Sequence, residues 1–504
     1  MDATGVSREG DGPPPLAFDA AEFRRLGHVA VDLAAAYLAR LGAGPVFTPM
    51  TVEERRALLE QPLPEDGVAP EEALRRFERS VLPHPMGNGH PRFFGWVNAP
   101  PAPIAILAEL LAAAMNPSCA GGDHAAIYLE RCVVRWLAEL VGYPFEGGMG
   151  LLVSGGSMAS LTCLAAARHR AVAALGGDAR RAGLLSGARL ILYMSEEGHS
   201  CVRKSAELLG LGAEAVRTVA VDGDKRLDVA ALREAVRADR FAGRVPFCVC
   251  ASAGTVGTGA IDPLDTVADL CAKERLWFHV DGAYGAPGVL DPSVVHRYAG
   301  MARADSLAID PHKWFSVPVE CGCALVRDGR LLRETFSLVP PYLQTEEGKG
   351  FGGLPWYAEY GFQQTRGFRA LKVWMTLLHL GRRGAAAHVA RHNALARRLA
   401  ALLDAAPDFE LVAPVTLSIV CFRYVPAGRR AANAQLDELN KAIMQDVQAG
   451  GEAFVTNATV GGRFALRACI LHYGTTEQDL ETLVEAVRRT GRRLATSGPP
   501  RSPQ

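Results

Sequence analysis

Between residues 149 and 326 the chain alternates short, unbroken apolar runs with longer stretches whose apolar positions recur at helical spacing. The runs at 150–153, 188–194, 247–251, 276–280, 306–309 and 323–326 predict strands, and the stretches at 227–238 and 263–273 predict helices. That alternation predicts an α/β domain around a mostly parallel sheet. Upstream, Phe23, Leu26, Val29, Ala30, Leu33, Tyr37 and Leu41 share one helical face, with Asp19 placed to cap it. A proline-broken stretch and a second helix over 70–81 follow, so this region reads as helices lying against another surface. Downstream, a long helix from 369 to about 380 leads into a smaller segment with strands at 417–424 and 464–470, closed by a helix over 477–494. The resulting division is a disordered tail (1–15), a helical arm (16–100), a large domain (101–385), a small C-terminal α+β domain (386–492) and a second tail (493–504).

Composition narrows the class. At 504 residues and 49% hydrophobic, the chain is long enough for a large core with appended domains. Its 54 lysines and arginines match 54 aspartates and glutamates, which argues against a nucleic-acid or anionic-membrane partner. Eleven cysteines follow no disulfide framework. Cys248 with Cys250, and Cys321 with Cys323, alternate inside apolar runs without a matching Cys/His pair, so buried thiols are expected and no metal. The first residues lack the basic start and apolar run of a signal peptide, and a soluble cytoplasmic protein is the expectation.

Four groups stand just beyond predicted strand ends, where open α/β sheets bind ligands. Ser154-Gly155-Gly156-Ser157 precedes a helix from Met158: glycines permit close backbone approach, the helix start offers free N–H groups to an anion, and Ser157 adds a hydroxyl. Alone it is an ordinary strand-to-helix turn. Glu197-Gly198-His199-Ser200 places an imidazole that can stack on a flat ring or move a proton. His279-Val280-Asp281 puts a carboxylate at a strand end, a common capping position that can also hold a ring nitrogen protonated. Asp310-Pro311-His312-Lys313-Trp314 sets a lysine among apolar residues; desolvation beside other cations would depress its pKa and suit imine formation.

Together the four closely resemble the group II pyridoxal-phosphate decarboxylases, which act on aromatic amino acids, histidine, glutamate and tyrosine. The resemblance runs from His90-Pro-Arg-Phe-Phe-Gly95 to about Leu380, and the Asp281…His312-Lys313 arrangement with His199 upstream is specific to it. It implies a fold-type I enzyme: a seven-stranded, mostly parallel sheet, a helical dimerisation arm, a small C-terminal domain, and a homodimer with shared active sites. It implies pyridoxal 5'-phosphate carried on Lys313 as a Schiff base, Asp281 on the pyridinium, His199 stacked on the ring with Ser200 beside it, and Ala283 on the opposite face. Gly156, Ser157 and His312 would bind phosphate, and Thr255 matches a loop near the cofactor, with Val256 where the family has a second threonine. Asp310 stands where some members have asparagine. A mobile loop (344–364) would bring a proton-donating tyrosine: Tyr357 aligns best, counting back from Thr365-Arg-Gly-Phe-Arg369, with Tyr342 and Tyr360 as alternatives and His199 as a second donor.

The implied reaction is decarboxylation of an L-amino acid to the amine and carbon dioxide. An aldehyde synthase, performing oxidative decarboxylation and deamination on the same scaffold, is one competitor; a catalytically silent binding protein is another. Phe93, Phe94, Trp96 and His124 are candidate pocket residues whose aromatic character favours an aromatic or apolar substrate. An acidic substrate would call on an arginine such as Arg92.

Overall fold

The computed structural model describes residues 16–184, 187–339, 349–354, 356–426 and 432–497. The first tail, the whole stretch 340–348 with Tyr342, and Pro355 therefore lie outside the described residues. Seven strands form the large sheet: β1 (Met149–Val153), β2 (Leu190–Ser195), β3 (Val216–Val219), β4 (Val245–Ser252), β5 (Trp277–Asp281), β6 (Ser306–Ile309) and β7 (Gly322–Val326). Their order is β1-β7-β6-β5-β4-β2-β3, with β7 antiparallel to both neighbours and the other pairs parallel. Every residue of β1, β2, β6 and β7 is buried, which is why these strands read as unbroken apolar runs: helices cover both faces. The six predicted strands all form, with ends shifted by two residues or fewer. The edge strand β3 was not expected, because Val-Arg-Thr-Val is short and polar at its centre.

A second sheet, in order β10-β11-β9-β8, is wholly antiparallel: β8 (Phe409–Leu411), β9 (Ile419–Tyr424), β10 (Thr456–Val460) and β11 (Arg463–Cys469). Gly461 and Gly462, both at positive φ (56° and 75°), make the tight β10–β11 turn that residues with a Cβ resist. The core of this sheet takes in Phe94 as well as Leu395, Phe422 and Leu466.

Asp19 caps the helix Ala20–Arg40, accepting from Glu22 N–H at 2.8 Å. The helix Pro70–Ser80 also forms as predicted, whereas Val52–Leu59, Pro103–Met115 and Ala125–Leu140 were hidden by neighbouring prolines and glycines. The long helix expected to stop near Leu380 kinks there instead, at Gly381 (φ 61°), and continues to Asp404. The last helix runs from Glu477 to Ser497, so residues 493–497, assigned to a tail from composition, are helical. Arg493 anchors that end through an ion pair with Asp446 at 2.6 Å.

Candidate active site

The strands β1, β5 and β6 deliver their following residues to one end of the sheet. After β1 the chain turns at Gly155 into the helix Gly156–Ala174, whose first N–H groups have no side-chain cap. Glycine is required there by crowding. A Cβ on Gly156 would stand 2.7 Å from Ala283 Cβ and 2.9 Å from Asp310 Oδ2, and one on Gly155 would lie 3.2 Å from His312 Cε1. The turn, Ala283 and His312 are therefore brought together, with Ser157 exposed on the next residue.

Lys313 is 22% exposed and its Nζ lies 2.8 Å from Asp310 Oδ2. The loop carrying it is clamped on its far side. Trp314 is fully buried, stacks on Tyr284 at 5.1 Å, donates from Nε1 to His392 Nδ1 (3.1 Å), and accepts at its carbonyl from His388 Nε2 (3.0 Å). His312 Nδ1 accepts from Cys321 N–H at 3.0 Å. Burial opposes the charge of Lys313, but Asp310 and Asp281 outweigh it, and the lysine pKa is raised. The depressed value expected from the sequence is thus overturned: Asp310 acts as a full counter-ion.

Asp281 ends β5 and accepts from Ala283 N–H at 3.1 Å. His279, two residues earlier, is sealed between Ser306 Oγ (2.9 Å) and Ser160 Oγ (3.4 Å), and burial pushes it down to about 4, so it stays neutral structure behind Asp281. His199 is exposed; its Nδ1 accepts from Cys201 N–H at 3.2 Å, which leaves the neutral ring's proton on Nε2. Its pKa is lowered, chiefly by desolvation and also by Lys313, against the upward pull of Asp281 and Asp310. Thr255 is buried within its own loop, sharing a 2.9 Å hydrogen bond with Thr258 Oγ1, while Val256 is exposed.

The geometry departs from the sequence reading at Phe93, Phe94 and Tyr357. Phe94 is fully buried in the small-sheet core, and Phe93 stacks on Phe454 at 4.9 Å, because this segment runs beside Phe454 and pairs with it through the backbone. Of the four pocket candidates, Trp96 is exposed and His124, stacked on Phe351 at 6.0 Å, is half-buried. Arg92 turns to the small domain, donating to Glu452 O at 2.7 Å. Tyr357 is 2% exposed rather than at a loop tip. Its ring lies 4.9 Å from the Arg366 guanidinium, its hydroxyl is buried without a partner, and burial holds its pKa well above 10. Among the described residues no hydrogen bond joins it to Lys313 or His199.

One residue was missed. Arg467, in β11 and 3% exposed, donates from Nε to Val256 O (2.8 Å) and from Nη1 to Trp96 O (2.8 Å), and its buried Nη2 has no partner. Among the described residues it has no carboxylate partner. An arginine inside the apolar run Phe464–Ile470 was the available signal.

An amine paired with one carboxylate and within the field of a second, beside a glycine turn opening a helix, is the chemistry that an aldehyde cofactor with a phosphate and a ring nitrogen requires. Residues 53–425 match the pyridoxal-dependent decarboxylase conserved domain. The chain belongs to that family. It is 33% identical to the aromatic-L-amino-acid decarboxylase of Bacillus atrophaeus, over 96% of this chain and 98% of that one. It superimposes on the crystal structure of Oryza sativa TDC with PLP and tryptamine with a TM-score of 0.88 at 29% identity, covering 96% of this chain and 99% of the other. Rhodiola rosea 4-hydroxyphenylacetaldehyde synthase gives a TM-score of 0.83 at 26% identity, with 95% and 99% covered. The decarboxylase is a pyridoxal-phosphate enzyme acting on an amino acid, and the resemblance read from its sequence motifs holds.

Proposed function

We propose that the decarboxylase converts an aromatic L-amino acid to its amine, with Lys313 as the residue that bonds the cofactor aldehyde. The observation that carries this is the setting of Lys313 Nζ, 2.8 Å from Asp310 and within the field of Asp281, beside the Gly155–Gly156 turn. Gly156, Ser157 and His312 would hold the phosphate, Asp281 the ring nitrogen, and Ala283 and His199 the two faces of the ring. Bound there, pyridoxal 5'-phosphate supplies an electron sink for the pair left when the Cα–carboxylate bond breaks. The protein's part is orientation and proton control. Asp281 would keep the ring nitrogen charged. His199, exposed and carrying its proton on Nε2, would return a proton to the substrate carbon. Thr255 stiffens the adjoining loop.

Arg467 is the proposed partner of the substrate α-carboxylate, because a buried guanidinium with an unused N–H and no anion calls for one. Arg467→Gln is expected to raise KM about 10- to 100-fold with a smaller change in kcat, the cost of a charge-assisted hydrogen bond. The product amine, which lacks the carboxylate, should bind the variant and the wild type alike in a competition assay; parallel weakening of both would refute the assignment.

Aromatic selectivity is supported by the exposed Trp96, by the turning away of Arg92 and by the activity named for the Bacillus relative. A panel of L-amino acids with carbon dioxide release as readout is expected to give aromatic substrates at least about tenfold higher kcat/KM than glutamate. The structural likeness to an aldehyde synthase favours a second reading, oxidative decarboxylation and deamination. Product analysis separates the two: amine, or aldehyde with ammonia and peroxide. A homodimer is supported by exposed Phe18 and Phe23 on the arm and by Leu107, Leu110, Leu111 and Met115 on the helix Pro103–Met115, apolar surface that a second subunit would cover. A cytoplasmic location is supported by eleven free cysteines.

A further inference from the structure

No step above uses the carboxylate of Asp310, although the fold fixes it closely. It is 1% exposed, and its N–H donates to Ala283 O at 3.1 Å. Oδ2 takes Lys313 Nζ at 2.8 Å and lies 3.7 Å from His312 Nε2, while Oδ1 is buried without a partner. Oδ2 faces Gly156 of the glycine turn, and Oδ1 faces Gly322 at the start of β7. A Cβ on Gly156 would stand 2.9 Å from Oδ2, and one on Gly322 would stand 2.8 Å from Oδ1 and 2.5 Å from Gly155 Cα.

The titratable groups facing Asp310 are Lys313 and His312 from its own loop, His199 from the loop after β2, and Cys321 and Cys323 from the side of β7. Asp281 lies beyond Lys313, and Lys372, which acts on His312, is itself paired with Glu109. Burial pushes Cys321 up to about 12 and Cys323 well above the ordinary thiol value, and it lowers both histidines, so these groups are neutral near pH 7. Lys313 is the cation that balances Asp310.

That balance is upset when Lys313 bonds the cofactor and a phosphate enters the turn: the lysine nitrogen keeps its single positive charge, and the Asp310 carboxylate and the phosphate would then share it out of water. We propose that Asp310 and the cofactor phosphate share one proton, the Asp310 carboxyl donating a hydrogen bond to a phosphate oxygen. This rests on reading Lys313 and the glycine turn as the cofactor site. In the condensation the aldehyde oxygen leaves as water with two of the three ammonium protons, so that step neither takes up nor releases a proton. The shared proton is drawn from solvent. Above the second phosphate pKa, about 6, the bound state therefore holds one proton more than the separated partners, and affinity falls about tenfold per pH unit.

The test compares pyridoxal 5'-phosphate with pyridoxal, which undergoes the same condensation without the phosphate. Dissociation constants are measured by absorbance on the full-length, cofactor-stripped enzyme at pH 6.5 and 8.5. In the wild type the preference for the phosphorylated form is expected to fall about a hundredfold between the two; in Asp310→Asn it should change less than about threefold. Independently of any variant, wild-type enzyme mixed with pyridoxal 5'-phosphate at pH 8 in indicator dye should take up about one proton per site more than with pyridoxal. Equal uptake, or an Asp310→Asn preference that still falls a hundredfold, overturns the shared proton. Borohydride reduction and peptide mapping separate the two readings: a pyridoxyl label on a residue other than Lys313 removes the cofactor site itself.

Discussion

Lys313→Ala is expected to lower kcat/KM for decarboxylation by about 10³-fold or more, and to leave no pyridoxyl label after borohydride reduction. The loss follows from chemistry that no neighbour can take over: among the described residues no other lysine is paired with Asp310 or placed beside the glycine turn. Removing the ammonium also strips the 1%-exposed Asp310 of its cation, at a cost of about 1–3 kcal/mol in stability. Activity alone would therefore confuse a lost bond with a loosened fold. Lys313→Arg separates them. A guanidinium keeps the positive charge against Asp310 but cannot be deprotonated to attack an aldehyde. It should melt closer to the wild type than the alanine variant does, yet be as inactive. Wild-type turnover by Lys313→Ala would end the proposal.

The large sheet was legible because a strand buried on both faces must be largely apolar, and β1, β2, β6 and β7 are, with a single serine at one end of β2 and of β6. Strands that carry polar residues at an edge, such as β3, or that span three residues, such as β8, leave no such trace. The site divides in the same way. Gly156, Asp281, His312 and Lys313 each stand within a few residues of a strand end, and strand ends in a parallel sheet converge, so their proximity could be inferred from linear order. Asp310 as the lysine's counter-ion depends on the turn between them, which linear order does not show. Arg467 reaches Val256 and Trp96 from a separate sheet, across 211 and 371 positions of chain. The aromatic candidates failed for a plainer reason. Phe93 and Phe94 have the composition of a pocket wall, but apolar rings serve a core equally well, and only their backbone pairing with Phe454 decides which way they face.

The second large effect concerns stability and lies behind the site. Glu130 and Arg366 form an ion pair with side chains 0% and 1% exposed. Glu130 Oε1 also accepts from Leu152 N–H (2.9 Å), and Arg366 donates to Cys119 O (2.9 Å), Leu152 O (2.6 Å) and Glu130 Oε2 (3.0 Å). The pair thus fastens the helix Ala125–Leu140 and the segment entering the helix Arg369–Asp404 to β1, two residues before the turn at Ser154. Deleting one partner leaves the other charge in a medium that cannot solvate it. Glu130→Ala is therefore expected to cost about 3–5 kcal/mol in urea unfolding, far more than a surface ion pair. Because β1 leads directly into the glycine turn, the variant should also release pyridoxal 5'-phosphate at lower denaturant than the wild type. The double variant Glu130→Met with Arg366→Met, which buries no charge, should recover part of the loss and so be less than the sum of the singles. Single variants within about 0.5 kcal/mol of wild type, or a strictly additive double, would show that β1 is held by packing alone and that the buried pair contributes nothing to it.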